Sequence, residues 1–484
     1  MLHSDFPVTK VLSILHKDNL LPAILFRTAR KQCDLDIDRV SQSHAAELSE
    51  EESRVLENEV ARLAEKYGVE LSVLTGYPHY QALLRTGVGA HHAGQLLVWR
   101  LVLEELMSQG LLRLLIATGT VAAGVDFPAR TVVITAHSKR GSDGFGVLTS
   151  SEFQQMSGRA GRRGKDAVGI CLIAPGPYSD ARVINEIIKR PPEPLRSAYF
   201  AAPSTVLNLL KFRNVDDLRY TVSKSLAAFL DWKAAEALRA SAGEEQEDLD
   251  HDHNLTGEAR KKSQKRVRRK GKEADLIEQK QSDALTQSLT ALEKLGYIER
   301  GGLTEKGYWA ANLCTSLVLE LAEAIADHLF SDLSTWEVVG LVASIAGDPH
   351  RPYLSIKKNP MQKELFKRME AVVERIKNSY RVPGASEVAV LPEAAITVIT
   401  WMEAESWSEF AGLLRLNGVA EGDVSRLVSQ TADHLNQISR LEDSHPDLAR
   451  LAAEGRKRIL RPPLSDATEV SWANLKPELL GNES

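Results

Sequence analysis

The first 190 residues alternate short apolar runs with amphipathic stretches, and few architectures accommodate that rhythm. LPAILF (21–26) reads as a buried parallel strand, and LSVLTG (71–76), LLRLLIAT (111–118), TVVITAH (131–137) and VGICLIAP (168–175) as further strands. The intervening stretches 48–67 and 95–109 carry helical spacing. A strand without a polar face must be covered on both sides, so strands of this kind separated by helices imply right-handed βαβ crossovers around a parallel sheet.

Pro191, Pro192 and Pro194, within KRPPEPLRS (189–197), mark the end of this region. The remainder is mainly helical. In 284–311 an amphipathic helix ends at Gly296 and is followed by Tyr297-Ile298-Glu299, a Gly301-Gly302 turn and Leu303-Thr304, the order of a winged helix. Residues 312–462 read as a helical bundle. The expected architecture is an α/β parallel-sheet domain over 1–192, a linker and winged helix over 193–311, and an all-α domain over 312–484. A charged insertion, 241–275, interrupts the second of these. Its stretch 244–275 runs from acidic to strongly basic with almost no apolar residues, and it reads as a solvated or disordered loop. The basic part, 260–272, is a candidate for phosphate binding, although a charge run is more commonly a solvated face.

Bulk properties narrow the function classes. Net charge is −5 over 484 residues, so any nucleic-acid footprint must be local. No run of about 18 apolar residues occurs, which argues against a membrane span. The N-terminus lacks the pattern of a signal peptide. Cys33, Cys171 and Cys314 are distant and odd in number, which argues against disulfides and a zinc site and favours the cytoplasm.

The strongest chemical signal is QMSGRAGRRG (155–164). Arg159 and Arg162 are three apart, a spacing that shares a face on a helix. Glycine permits close backbone approach, and the planar arginine fork matches phosphate oxygens and stays charged. A fixed cation aimed at a transferring phosphoryl group is the arginine-finger device, worth about 10³–10⁵ in rate. His91-His92 is an adjacent pair, read as lying on a loop, without a cysteine or acidic partner at zinc spacing, so no metal is assigned and the pair reads either as near nucleic acid or as packed histidines. HSKRGSDGFGVL (137–148) reads as two short strands around a Gly-rich turn. In 420–438, Val424, Leu427, Val428 and Leu435 form an apolar helical stripe with Arg426 off it.

QMSGRAGRRG resembles motif VI of superfamily-two helicases, in the form used by the Ski-type DExH RNA helicases. LPAILFRTARKQC (21–33) resembles motif IV, and VGAHHAG (88–94) the next block. IATGTVAAGVDFPARTVV (116–133) resembles motif V, PLRSAYFAAPSTVLNLLK (194–211) the linker into the winged helix, and 393–439 the C-terminal domain containing the ratchet helix. The resemblance implies a second RecA-like domain, and it implies roles. Arg159 and Arg162 would contact the ATP γ-phosphate, and Gln155 would orient the attacking water or the phosphate. Gly124 and Asp126 would approach the nucleotide. Thr118, Arg27, Arg30, His92 and Arg426 would face nucleic acid, with RNA favoured and DNA open. The segment 137–148 stands where related motors carry a duplex-splitting hairpin, and a plain surface loop fits it equally. The chain departs from the family in having Ala29 in place of a hydroxyl in motif IV, Gly119 in place of an acid, and Asp126 in place of Asn.

The 484 residues contain no G-x-x-x-x-G-K-[ST] and no DExH box after a strand. Phosphate and Mg²⁺ ligands for ATP would come from a first RecA-like domain, in cis or in trans, and the chain alone is expected not to hydrolyse ATP. A truncated gene product, a subunit of a split helicase and a non-catalytic nucleic-acid-binding remnant all fit.

Overall fold

The computed structural model describes residues 6–43, 47–119, 129–141, 144–197, 199–251, 257–355, 360–380 and 388–464. Five strands form one parallel sheet: β1 (Ala23–Arg27), β2 (Val88–His91), β3 (Leu114–Thr118), β4 (Thr131–Ile134) and, in that sheet, the later strand Ile170–Ile173. Two antiparallel hairpins lie outside it, β5 (Ser138–Gly141) with β6 (Gly144–Val147), and β8 (Ile298–Glu299) with β9 (Gly302–Leu303). With Ile170–Ile173 as β7, the sheet order is β2-β3-β1-β4-β7. Every residue of the central β1 is buried, as its unbroken apolar run requires. Helices cover both faces, including Glu50–Lys66 and Leu97–Gln109 on one side and Val8–Lys17 and Arg30–Ser41 on the other.

One strand assignment from sequence changes. LSVLTG is a short helix, Leu71–Thr75, not a strand. Its buried residues are the neighbours Val73 and Leu74, whereas a strand would alternate them. The fifth sheet position belongs to β2, inside the segment read as a loop around the histidine pair. Gly89 serves packing there: a methyl at this position would lie 2.7 Å from Leu103 Cδ2 of the covering helix.

The charged insertion is also corrected, since it is helical. Leu226–His251 and Gly257–Lys294 form an antiparallel pair projecting as a stalk. Its seam consists mainly of alanine: Ala235, Ala242 and Ala274 are buried there together with Leu249. Small residues let the helices approach closely, and charged side chains clamp the flanks. Arg239 pairs with Asp275 and Glu278, and Glu245 with Arg266 and Lys270. A hydropathy pattern detects none of this.

The stalk's second helix ends as its sequence indicates. Gly296 adopts φ +77°, and Thr304 Oγ1 donates to the Gly296 carbonyl beside the β8–β9 hairpin. Residues beyond 312 are helical throughout their ordered elements, and Trp401, Trp407 and Phe410 cluster in their core. No helix of the described residues is long and apolar enough to cross a membrane.

Candidate nucleotide and nucleic-acid interface

Parallel strands all direct their carboxyl ends to one edge of the sheet, where ligands of such folds sit. Here the ends of β1, β3 and β4 meet the helix Ser150–Ser157 around a cavity of about 150 Å³. Arg27 and Thr28 line it from β1, Gly119 from β3, Ala136 from beyond β4, and Gln155 from the helix. That helix is fixed by a capping box. The Thr149 hydroxyl accepts from Glu152 N–H, and the Glu152 carboxylate accepts from Thr149 N–H. Glu152 also pairs with Lys139 of β5, which ties the β5–β6 hairpin to the cavity wall. Sequence reasoning missed this pair, although Thr-x-x-Glu ahead of an apolar residue was a readable sign of a helix start.

Gln155 is exposed on the cavity side of the helix. The helix ends at Ser157, however, so Arg159 and Arg162 do not share a helical face, as their spacing had implied. They lie on a loop held against the sheet domain. Ala129 N–H donates to the Arg159 carbonyl at 3.0 Å, and Gly161 N–H donates to the Ala129 carbonyl at 2.7 Å. Gly161 adopts φ +92°, and a methyl on Gly169 would fall 2.3 Å from the Ala160 carbonyl oxygen. Gly161 and Gly169 are thus required by the close approach of these two backbone segments, and Gly164 by its φ of +75°.

Arg162 has a partner that sequence did not reveal. Its Nε and Nη2 donate to the two oxygens of Asp166 at 2.8 and 3.0 Å, a bidentate fork, and its own N–H donates to the same carboxylate. These bonds hold the Asp166 carboxyl at about 2, well below its usual range. Arg162 is a positioned, partly exposed cation. Thr118 closes β3, in register with Arg27. Gly124 and Asp126 lie outside the described residues.

Of the residues expected to face nucleic acid, two are corrected. Arg27 is 4% exposed and donates Nε–H to Asp36 at 2.6 Å, making it a buried counter-ion. His92 is 5% exposed. Its Nδ1 accepts from Gly94 N–H at 3.2 Å, so Nε2 carries the proton directed to Asp34 at 2.9 Å. It thereby orders the turn after β2. His91 closes β2 itself and meets Glu104 at 2.7 Å, and burial lowers its pKa.

Arg30 reaches the other half of the molecule. Its Nη1 donates to both Asp423 oxygens at 2.9 Å. Asp423 begins the helix Glu421–Ile438, whose Gly422 N–H donates to the Gly94 carbonyl at 3.0 Å. A methyl at Gly422 would lie 2.4 Å from the Ala93 carbonyl oxygen, so only glycine permits this docking. The apolar stripe expected on this helix is buried and Arg426 is exposed. A chain of contacts thus runs from the end of β1 and β2 to the helix that presents Arg426.

Residues 84–164 match the model of the helicase conserved C-terminal domain, and residues 300–466 match that of the DSHCT (NUC185) domain. The exosome RNA helicase MTR4 of Homo sapiens is 31% identical over 227 residues, 47% of this chain and 22% of that protein. The DExH-box ATP-dependent RNA helicase DExH10 of Arabidopsis thaliana is 34% identical over 206 residues, 43% of this chain and 20% of that protein. The probable helicase HelY of Mycobacterium tuberculosis (strain H37Rv) is 33% identical over 221 residues, 46% of this chain and 24% of that protein. The alignments thus span about a fifth to a quarter of the length of these relatives.

Proposed function

Because this chain belongs to the Ski-type DExH superfamily-two helicases, as their C-terminal half, we propose that it is the RNA-gripping, finger-bearing half of an ATP-dependent RNA helicase. In this reading 1–192 is the second RecA-like domain, 193–311 contains the winged helix and 312–484 is the ratchet-type domain. The observation that carries it is the meeting of Gln155 with the carboxyl ends of three parallel strands, beside a backbone-locked loop bearing Arg159 and Arg162.

ATP with Mg²⁺, held by a first RecA-like domain, would supply the transferring phosphoryl group and the metal that neutralises it. The residues present fit the outer side of such a triphosphate: an exposed amide, Gln155, and a cation, Arg162, fixed in plane by Asp166. Gln155 orients the attacking water or the phosphate, and the arginines stabilise charge that grows on the transferring group. The docking of Gly422 and the Arg30–Asp423 fork couple this edge of the sheet to Arg426, which faces the RNA strand. Thr118 at the end of β3 contacts the same strand. Binding is then largely sequence-independent and weakens with salt.

Mixed with a first RecA-like domain carrying a phosphate loop and a DExH box, the chain is expected to support RNA-stimulated ATP hydrolysis. Arg159→Ala should lower its rate by about 10³-fold or more. Hydrolysis by the chain alone, or hydrolysis indifferent to Arg159→Ala, rejects the finger role. A second reading, a nucleic-acid binder without hydrolysis, has the Arg162–Asp166 fork in its favour, since a carboxylate already occupies that guanidinium. Asp166→Asn discriminates: it raises turnover if the fork restrains a finger, and changes only stability if Arg162 is structural.

A further inference from the structure

The stalk carries a surface that the motor reading leaves unused. At about 100° per residue, Lys261, Lys265, Arg268 and Lys272 of its second helix fall on one face. All four are exposed, and none forms an ion pair with a described residue. The opposite face holds the partner helix: Arg266 and Lys270 are clamped there by Glu245, and Ala274 is buried. Glu258 and Asp275 lie at the two ends of this face, and Asp275 is held by Arg239 of the first helix. Between them, from Lys261 to Lys272, the helix carries no acid. A surface built only for solubility intersperses the two signs.

We propose that this cationic face is a rest for the phosphate backbone of double-stranded RNA. The face runs for about 16 Å along the helix at 1.5 Å per residue, a length over which a duplex presents several phosphates. It stands about 20–36 Å along the helix from Leu285, where the stalk enters the core. A protein interface needs aromatic or apolar anchors at its centre. A grip on single strands needs aromatic platforms for stacking. From Lys233 to Gly296 the chain contains no Phe, Tyr or Trp, and the large exposed apolar side chain of the described residues there, Leu276, lies a turn beyond Lys272, past the end of the face. Cations without stacking groups suit a partner whose bases are turned inward and whose phosphates are outward.

The proposal rests on the body's RNA reading, and the test separates the two. Binding of the full chain to a blunt-ended RNA duplex and to single-stranded RNA is measured by fluorescence anisotropy across a salt series. The variant combines Lys261→Gln, Lys265→Gln, Arg268→Gln and Lys272→Gln, all at exposed helical positions that accept glutamine. Duplex binding is expected to weaken at least about 10-fold, and the log–log salt slope to become shallower by about 3–4, close to one per lost phosphate contact. Single-strand binding should stay within about twofold. Unchanged duplex affinity and slope overturn the proposal, as does an equal loss on both RNAs. Capture of a polyglutamate peptide in place of duplex would assign the face to an acidic protein partner, and also overturns it. Failure of the unaltered chain to bind single strands would instead reject the reading of the body.

Discussion

The sheet domain and the stalk are built by opposite means within one chain. In β1 every residue is buried, and the strand is ordered by what it removes from water. In the 38-residue second helix of the stalk only seven residues are buried, and none of them precedes Ala274. The outer half of the stalk is held by an alanine seam and ion pairs whose worth in water is about 0–1 kcal/mol each. The comparison teaches that order in this molecule has two sources. One is a deep apolar core that fixes the edge of the sheet where the candidate site lies. The other is helix propensity and close small-residue packing, which project charge outward at little cost in apolar surface.

The largest test of that contrast is truncation of one leucine in each region. Leu25 is fully buried at the sheet centre, and Leu25→Ala should destabilise the protein by about 2–5 kcal/mol in denaturant unfolding. Leu276 is 68% exposed on the stalk, and Leu276→Ala should fall within about 0.5 kcal/mol of the parent. Comparable losses at both sites would mean that the stalk has a core of its own.

Protonation separates the regions next. His434 belongs to the body, with Nδ1 2.6 Å from the Thr315 hydroxyl, and burial lowers its pKa from 6.5 to about 4. The neutral ring is the form that folding favours. Stability from this group is complete above pH 6.5, declines as pH falls, and is fully lost below about 4. The total is about 3 kcal/mol. The described stalk has no buried histidine, so acidification from pH 7 to 5 should loosen the body while hydrogen exchange in the stalk holds. His434→Gln should flatten the body's pH dependence; a profile that stays steep assigns the effect elsewhere.

These contrasts also explain what the sequence could be made to yield. Four of the five sheet strands were legible because each carries a continuous apolar run, which β1, β3 and β4 bury and the edge strand β7 leaves half exposed, and the ten-residue pattern 155–164 was legible as a motif. β2 was not, since Gly89 and His91 dilute its run, and its order comes from pairing with β3 and packing against Leu103. The stalk was misread because alanine contributes little to a hydropathy pattern yet packs closely. At the site, residue types were readable but their partners were not. Asp36, Asp34 and Asp423 lie 9, 58 and 393 positions from Arg27, His92 and Arg30, and only the fold brings them together. Asp166 is four positions from Arg162, but the chain between them turns through non-helical backbone, so helical spacing could not announce the fork.

Glycine gives the next test. Gly169→Ala drives a methyl against the Ala160 carbonyl, and should cost about 1–3 kcal/mol, with loss of the hydrolysis proposed to depend on the loop's arginines. Full retention of stability would show that the loop relaxes freely and is not locked by crowding.

The smallest effect has the opposite sign. Gly271 lies inside the second stalk helix, and a methyl there would meet nothing within 4 Å. Its backbone is not in the left-handed region, so alanine fits without strain. Glycine in a helix interior costs about 0.5–1 kcal/mol relative to alanine, because it keeps more freedom in the unfolded chain. Gly271→Ala should therefore slow hydrogen exchange in the outer stalk by up to about fivefold, while β1 amides exchange as before. Because the cationic face lies on other residues, duplex binding should persist or strengthen slightly as the helix stiffens. Faster exchange in the variant would mean that Gly271 serves a bend or a close contact, and that the outer stalk is not held by helix propensity.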